Sequence, residues 1–510
     1  MATSRDPLRL GMELPFSSRN EVRYFFSKGI PLAMTAFMNS GVPPLFAMII
    51  AGHTKHSAQL QASLGYGRVW YNCTCLMPMA SQLAYMQNSI PGCIGAGRKD
   101  RIPRYLQRSL LMSVTVMIPF FALQFVATSL MKHSGVPAAN AEDVGIYCKT
   151  MLAACLLNLF NSHLECIFLN FGYAKYATLI SFASGMVVHM SCTYLFILKW
   201  NMGIEGAALA QIAVQCTRTS CWIFLLLHFR LFGSVCVAPS GAECLFNQTE
   251  SQIYASLAIP QLFSSLAGWF IFELQMIAMA NISGINQEAL AAGAAWVQFE
   301  GSLASTQEGW LKTTSMRILV LLGQQDPGAR NAFVIFSRLT AFTVAVFNVF
   351  LLIFQQQLCA IVSNNADVQS WFRVVAWVLV LHTQTRIIAL NSIFIFIPVG
   401  KGKLRVIYTF VSFYCVATPI SGMVALTDLV TTDLSTKMVA CVGATSIAQS
   451  VLAMFCFRFI HKLDWDAAGA IINQRANTDR VSLAILATEL PGRDVLLQSA
   501  HQPARQGSSH

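Results

Sequence analysis

The chain alternates between long apolar runs and short polar segments, and this alternation predicts membrane-spanning helices. A helix needs about 20 apolar residues to cross the hydrocarbon core of a bilayer. Runs of this length that end at charged residues, Gly or Pro predict twelve spans. Their limits are 29–51, 69–91, 109–131, 145–171, 176–198, 203–228, 253–280, 290–322, 332–358, 371–397, 406–428 and 438–460. The predicted fold is therefore an all-α membrane protein with twelve transmembrane helices.

The composition supports this fold and excludes several functional classes. Of the 510 residues, 55% are hydrophobic and 11% are charged, whereas a soluble domain carries roughly 25% charged residues. The 15 cysteines are scattered through apolar runs without the spacing of zinc ligands, so we interpret them as buried apolar residues. The sequence also lacks a nucleophile–base pair and a Walker-type phosphate loop. We therefore expect neither an enzyme nor an ATP-driven pump, and no metal or cofactor.

The distribution of basic residues predicts the orientation in the membrane. With a cytoplasmic N-terminus, sixteen Lys and Arg residues fall in inner segments before residue 462, and six fall in outer segments. Cytoplasmic loops are enriched in these residues, so both termini are predicted to be cytoplasmic. The basic cytoplasmic loops then explain the net charge of +11. We therefore expect no nucleic-acid partner. A single miscounted span would reverse half of this map.

Landmarks at a nearly constant offset indicate that the spans form two repeats of six. The paired landmarks lie between 228 and 230 residues apart and are Pro31 with Pro260, Arg108 with Arg338, and Gly172 with Gly400. Helix–helix loops are generally rich in Gly and basic residues, so coincidence stays open as the alternative. Two repeats with an even number of spans are related by an axis along the membrane normal and enclose a central cavity, which favours a carrier.

These patterns divide the chain into five parts. They are a cytoplasmic N-terminal segment (1–28), an N-terminal six-helix lobe (29–232), a cytoplasmic linker (233–252), a C-terminal six-helix lobe (253–461) and a cytoplasmic polar tail (462–510). Charged and small polar residues predict a mostly mobile tail with one short helix around 481–486.

Seven short motifs, in the order of the spans, carry a resemblance to a known family. They are Ala51-Gly52-His53 with Leu60, Gly95-Ala96-Gly97, Tyr105-Leu106-Gln107-Arg108-Ser109, Asn170-Phe171-Gly172, Gly203-Ile204-Glu205-Gly206-Ala207-Ala208-Leu209-Ala210, Leu257-Ala258-Ile259-Pro260 and Leu463-Asp464-Trp465. Together they resemble elements of eukaryotic multidrug and toxic compound extrusion (MATE) transporters, from about residue 21 to residue 475. The resemblance implies two pseudo-symmetric six-helix lobes and export of organic solutes, xenobiotics or metabolites, driven by inward movement of H⁺ or Na⁺. We expect a monomer in the plasma membrane or in a vacuolar or vesicular membrane.

The chain departs from the family pattern at its acidic positions. The family carries E-W-W-x-[YF]-E in its seventh helix, where this chain reads Gly268-Trp269-Phe270-Ile271-Phe272-Glu273. The first carboxylate is therefore missing and the second remains. The family's carboxylate in helix eight falls on Gln298, and the one in helix ten falls on Arg386. Three of four acidic positions are thus neutral or reversed, so the coupling mechanism of the family does not transfer directly.

Ionisable side chains within the spans are the candidates for chemistry, because each costs about 2.5–3.5 kcal/mol on insertion scales. They are Glu165, Arg218, Glu273, Glu300, Glu308, Lys312, Arg317 and Arg386, with His163, His189 and His382. The spacing of Glu308 and Lys312 predicts an ion pair within one helix. Arg218 and Arg317 are predicted to anchor their helices at the cytoplasmic boundary, and Glu165 to lie near that boundary.

The predicted pathway for substrate and coupling ion comprises Trp269, Glu273, Gln298, Glu300 and Arg386. Trp269 and Glu273 are one helical turn apart, which suits an organic cation held by charge and by the indole face. A carboxylate in a membrane cavity also binds and releases protons, as coupling to a proton gradient requires. Arg386 is permanently charged, and we expect it to face the lobe interior and to pair with Glu273 or Glu300.

Three functions remain open at this stage. The leading one is a MATE-type secondary active exporter that exchanges organic solutes for a cation. The second is an exchanger or facilitator of anionic or neutral solutes, for which a permanent positive charge in the cavity suits the substrate. The third is a transport-inactive relative that acts as a scaffold or sensor.

Overall fold

The computed structural model describes residues 15–98, 101–170, 173–229, 248–427 and 432–489, and most of these residues are helical. The helices are α1 (Ser18–Ala51), α2 (57–95), α3 (Ile102–Ala122), α4 (Ala127–His133), α5 (Ala138–Asn170), α6 (Ala174–Lys199), α7 (Gly203–His228), α8 (Gln248–Ala280), α9 (Gln287–Gly323), α10 (Ala329–Ile353), α11 (Gln355–Val362), α12 (Ala366–Ile393), α13 (402–426), α14 (Leu434–His461) and α15 (Trp465–Glu489). We call α1–α7 the first lobe and α8–α14 the second lobe. The inner face is the one where α1 begins and α2 ends, and the outer face is the opposite one.

Nine helices in the described part of the chain are long and apolar enough to cross a membrane. The protein is therefore a multi-pass membrane protein, and the predicted all-α class is confirmed. The helices α2, α7 and α9 are also long enough to cross a membrane but are not among these nine. The count of twelve spans stays a prediction.

Helix α1 is continuous but contains two wide π-helical turns, at Phe25–Gly29 and Phe37–Gly41. Each is followed by a proline near the start of the next α-helical stretch, Pro31 and Pro43. Inside a continuous helix a proline leaves the carbonyl four residues before it without its hydrogen bond. Here those residues, Ser27 and Asn39, lie within the wide turns. Such local widening is frequent at functional sites, and the second π turn contains Asn39, which enters the first-lobe site described below.

The lobes meet where α9 packs against α1 and α2. Small residues bring the backbones close together: a Cβ atom on Gly65 would lie 2.4 Å from the Cβ of Ala294. The Ser302 hydroxyl donates a hydrogen bond of 2.8 Å to the Gly41 carbonyl. Close approach through small residues and hydroxyl bonds is the usual way in which membrane helices associate.

The buried apolar residues form two layers, and each layer draws on both lobes. The outer layer includes α2 from Leu60 to Met79 and α9 from Ala289 to Phe299. The inner layer includes the ends of the same helices. Between the layers, α9 carries Glu300 and a run of small and polar residues. The fold therefore places a polar level midway between the two faces.

The ends of the chain differ from the expectation in two respects. Helix α1 begins at Ser18, well before the predicted start of the first span at residue 29. Helix α15 covers Trp465–Glu489, where only a short helix around 481–486 was predicted. Its buried residues Ala468, Ile472 and Ala476 recur every fourth position and hold the helix against the inner face. Residues 1–14, residues 230–247 with most of the predicted linker (233–252), and the end of the tail (490–510) lie outside the described residues.

Candidate functional site

A buried ion pair occupies the polar level of the second lobe. The Arg386 guanidinium of α12 donates through Nη1 to Glu300 Oε1 of α9, and its Nη2 lies 3.9 Å from Glu308 Oε1. The Glu300 side chain is inaccessible to solvent and that of Arg386 is 7% exposed. A guanidinium cannot shed its charge, so burial requires a carboxylate beside it. The predicted pairing of Arg386 with one of two carboxylates is therefore confirmed, with Glu300 as the partner.

His382 extends this pair toward α14. It precedes the arginine by one turn of α12, and its Nε2 lies 3.3 Å from Glu300 Oε1. Its Nδ1 lies 3.2 Å from the Thr445 hydroxyl, and the rings of Phe272 and Trp296 flank the imidazole. We assigned His382 no role from the sequence. Its four-residue spacing from the arginine was the signal that could have linked the two.

The indole of Trp269 on α8 contacts the same cluster. The Cζ atom of Arg386 lies 5.6 Å from the centroid of the ring, within the range of a cation–π contact. We expected Trp269 and Glu273 to hold an organic cation together. Instead, the Arg386 guanidinium lies over the indole. The Glu273 carboxylate, one turn from Trp269, makes no hydrogen bond to this cluster.

Glu273 differs from Glu165 and Glu300 because no arginine pairs with it among the described residues. Its side chain is buried, and both of its oxygens lack a hydrogen-bond partner among the described residues. The groups within electrostatic range of it are Tyr66 and Cys73 of α2 and Cys148 of α5. Glu273 therefore faces the first lobe across the interface, although we had expected it in a cavity of the second lobe.

Gln298 also lies at the interface and outside the Arg386 cluster. On α9 it falls between Ala294 and Ser302, one turn from each, and both of these contact the first lobe. Glu300 is two residues further along, which turns its side chain about 200° around the helix. The structure thus groups Trp269, Glu300 and Arg386, and leaves Gln298 and Glu273 on the surface between the lobes.

The first lobe contains a buried ion pair of its own, which the sequence analysis did not predict. Arg218 of α7 donates through Nη2 to Glu165 Oε2 of α5 at 2.5 Å, and Asn39 donates to the same oxygen at 2.9 Å. The Arg218 side chain is 3% exposed. Its expected role as a boundary anchor is therefore wrong. The pairing escaped notice because the partners lie 53 residues apart on different helices.

Arg317 likewise differs from its predicted role as an anchor. Its Nε and Nη2 donate to both carboxylate oxygens of Glu21, at 2.5 to 3.1 Å, and both side chains are fully buried. Two parallel bonds to one carboxylate give a strong and geometrically specific contact. This pair joins α1 to α9 and so holds the two lobes together near the inner face.

The predicted pair within α9, between Glu308 and Lys312, does not form. Glu308 approaches Arg386 on α12 instead, and no ion pair of Lys312 occurs within the described residues. Lys312 lines a cavity between α2, α5 and α9, together with Glu165. A neighbour from another helix has therefore replaced the partner that spacing along one helix predicted.

In chemical terms the described residues of the site offer contacts for a proton, a cation and an anion. Within the described ranges no cluster of three or more His, Cys, Asp or Glu side chains could hold a metal ion. The polar level contains an isolated carboxylate, two Glu–Arg pairs and one lysine at a cavity wall. Such an arrangement suits the binding and passage of charged solutes.

Known proteins with similar sequences are transporters. A family model described as MatE matches residues 31–195. Protein DETOXIFICATION 36 of Arabidopsis thaliana is 24% identical over 206 residues, which is 40% of this chain and 39% of that protein. The multidrug resistance protein NorM of Vibrio vulnificus is 22% identical over 349 residues, 66% of this chain and 73% of that one. The chain thus spans about two fifths of the first relative.

Solved structures extend the similarity over the whole fold. The eukaryotic MATE transporter AtDTX14 has a TM-score of 0.77 at 15% identity and covers 90% of this chain and 99% of its own. An outward-facing multidrug resistance MATE transporter of the MOP superfamily gives 0.71 at 14%, over 92% and 99%. A MOP superfamily transporter from Pyrococcus furiosus, described as having a binding pocket of reverse polarity, gives 0.69 at 14%, over 90% and 98%. This protein is therefore MATE-like: it resembles the MATE family in sequence across residues 31–195 and has the MATE fold over nine tenths of its length.

Proposed function

We propose that the protein is a MATE-type secondary active transporter that exports organic solutes in exchange for a cation, H⁺ in the simplest case, by alternating access. The fold and the similar proteins support transport as the class of activity. The proposed coupling to a cation gradient rests on Glu273. It is a buried carboxylate without a partner in the described part of the chain, and a membrane protein rarely retains such a group without a function.

The position of Glu273 suits alternating access. It lies between the lobes, where a relative movement of α1 and α2 against α8 and α9 changes which side of the membrane reaches it. In the proposed cycle, Glu273 accepts a proton from the outer side and releases it to the inner side. The solute crosses in the opposite direction. The other buried carboxylates of the polar level are neutralised by arginines, so they suit a structural role.

We further propose the orientation derived from the basic residues, with both termini cytoplasmic, in a plasma, vacuolar or vesicular membrane. We propose a monomer, since each six-helix lobe finds its partner lobe in the same chain. The coupling cation and the lipid bilayer complete the set of partners, together with the organic solute.

A second candidate is the exchange or facilitated passage of anionic or neutral solutes. Arg386 gives it little support, because its charge is already balanced by Glu300. The observation that favours it is Lys312, a cation at a cavity wall without a carboxylate partner in the described part of the chain. A transport-inactive scaffold is the remaining alternative.

Flux measurements in proteoliposomes separate these functions. We expect solute flux that depends on a pH gradient, and loss of that dependence in Glu273→Gln, because the amide cannot carry a proton. The matched control is Glu205→Gln, which removes an exposed carboxylate in the first turn of α7. Gradient-dependent flux through Glu273→Gln at normal abundance would contradict the coupling role. Flux that ignores the gradient in the wild type would favour the second candidate, and no flux would favour the scaffold.

A further inference from the structure

The cavity between the lobes has a wall built from charged and amide side chains. It holds roughly 600 Å³ of empty space, counting the part that is open to solvent. Helices α2, α5 and α9 enclose it. The polar side chains that line it are Gln87, Ser162, Glu165, Asn170, Lys312 and Ser315.

The charges at this cavity leave one positive charge in excess. Glu165 already accepts from the Arg218 guanidinium at 2.5 Å and from Asn39 at 2.9 Å, so its charge is balanced within the first lobe. Lys312 makes no ion pair or hydrogen bond within the described residues, and the nearby Glu308 approaches Arg386 instead. An ammonium group on a membrane helix is costly without a counter-charge. An anion in the cavity would supply this counter-charge.

A second polar atom of the wall also lacks a partner. The Asn170 side chain donates through Nδ2 to the Cys166 carbonyl at 2.7 Å. Its Oδ1 is buried and accepts no hydrogen bond from the described residues. A buried acceptor without a donor costs free energy. A ligand that carries a hydroxyl or N–H group can supply the donor, as it can supply the negative charge for Lys312.

We infer that this cavity binds a small organic acid, with its carboxylate at the Lys312 ammonium and a hydroxyl group donating to Asn170 Oδ1. The inference rests on the proposed function, since the bound acid is then the transported solute. It excludes organic cations from this cavity, because Arg218 already neutralises Glu165 and the Lys312 ammonium repels a second positive charge. Glu273 is a separate group at the lobe interface and remains available for the coupling cation.

Equilibrium binding to the full-length protein in nanodiscs tests this assignment, with radiolabelled 4-hydroxybenzoate as the probe. We expect saturable binding, weaker competition by the neutral 4-hydroxybenzamide, and no competition by the cationic 4-hydroxybenzamidine. Lys312→Gln should weaken binding about tenfold or more, as loss of a charged hydrogen-bond partner does. Lys312→Arg should keep most of the affinity because it keeps the charge. Lys401→Gln is the matched control, since Lys401 is exposed on the inner side and outside the cavity.

A second comparison tests the contact between the ligand hydroxyl and Asn170. Asn170→Ala should weaken the binding of 4-hydroxybenzoate and leave that of benzoate unchanged. Binding that is unaffected by Lys312→Gln, or that prefers the amidine or the amide over the acid, overturns the proposal. If Lys312→Gln does not fold, Lys312→Arg and the two competitors still decide the question. Because nanodiscs hold no gradient, a failure of proton coupling does not affect this result, and a failure of acid binding leaves the proton-coupling test unaffected.

Discussion

Three buried ion pairs in the described part of the chain join different helices. The pairs are Glu21 with Arg317, Glu165 with Arg218, and Glu300 with Arg386. Each arginine keeps its charge in any surroundings, so the carboxylate has to be charged as well. Glu273 is a buried carboxylate that has no such partner among the described residues. This contrast separates the groups that hold the fold together from the one that is free to change its charge.

The pair in the second lobe yields a stability prediction. Arg386→Gln should lower the free energy of unfolding by about 3 to 5 kcal/mol, because it leaves the Glu300 carboxylate charged and buried without its partner. The double variant Arg386→Gln with Glu300→Gln should regain part of this loss. Thermal unfolding of the purified variants measures both. The control is Arg373→Gln, which changes an exposed arginine on the same helix.

Two results would contradict this view of the pair. One is an Arg386→Gln variant as stable as the control, which would mean that the guanidinium does not neutralise Glu300. The other is a double variant that is less stable than Arg386→Gln alone, which would mean that the two losses add and the residues do not interact.

At this scale the sequence predicted which residues were unusual, but only some of their partners. The pairing of Arg386 followed from the cost of its charge, and few carboxylates were available to balance it. Spacing along one helix wrongly predicted a pair between Glu308 and Lys312, because it takes no account of α12, which brings the arginine close to Glu308. Arg218 was taken for an anchor because its partner Glu165 lies on another helix. Partners on separate helices depend on the packing of the helices, which one sequence does not contain.

Among the helices, α15 joins both lobes at the inner face. In the first lobe, Arg101 donates through Nη1 to the Arg475 and Ala476 carbonyls, at 3.1 and 3.0 Å. In the second lobe, Asn473 donates to the Gly323 carbonyl at 2.9 Å. Arg475 also donates to the carbonyl at residue 398, at 2.6 Å. Helix α15 thus forms a bridge over the inner ends of α2, α9 and α12.

The apolar side of α15 gives a prediction for the whole helix. Ile472 is buried and contacts Gly92 of α2. Ile472→Asp should release the helix, at a loss of about 2 to 3 kcal/mol in contact free energy. Limited trypsin digestion of the purified protein should then cut the tail faster than in the wild type. Ala470→Asp places the same charge on the exposed side of the helix and should leave the digestion rate unchanged.

Equal digestion of the two aspartate variants would show that α15 is not held through its apolar side.

Most membrane helices were found from apolar length alone, but α15 was not, because its composition is polar. The signal was present as Ala468, Ile472 and Ala476 at four-residue spacing. Three apolar positions on a polar helix are a weak pattern, and they become meaningful only with the surface they cover.

In the molecule as a whole, the lobes touch at both faces. At the outer face, the Asn364 N–H donates to the Gly52 carbonyl at 3.1 Å, and Gln61 Nε2 donates to the Val362 carbonyl at 2.8 Å. These bonds join the end of α1 and the start of α2 to the segment between α11 and α12. An outward-open state requires that both bonds break.

At the inner face, the contacts between the lobes are also polar. The Tyr254 hydroxyl of α8 donates to Gln82 Oε1 of α2 at 2.5 Å, and Glu21 binds Arg317. With bonds at both faces, Glu273 and the cavity of Lys312 lie between two closures.

The division into lobes could be predicted from apolar runs and repeated landmarks. The closures could not, because the outer one depends on backbone carbonyls, which carry no residue-specific signal, and the inner one depends on side chains from different helices.

The outer closure can be loosened at a single glycine. A Cβ atom at Gly52 would lie 2.2 Å from the Val362 carbonyl oxygen, far too close for the present contact. Gly52→Ala should therefore push the outer segments apart, at a cost of about 1 to 3 kcal/mol to the closed state. The control is Gly422→Ala on α13, where an added Cβ meets no atom within 4 Å.

Cys359 reports the opening. It lies on α11, three residues before Val362, and is buried in the present structure. A membrane-impermeant maleimide added from outside should label Gly52→Ala about tenfold faster than the wild type, as a shift of roughly 1.4 kcal/mol toward the open state implies. The increase should vanish when Cys359→Ser is added, and Gly422→Ala should label at the wild-type rate. Labelling only from the cytoplasmic side would reverse the proposed orientation. No increase from either side would mean that Gly52 and Val362 do not close the outer face.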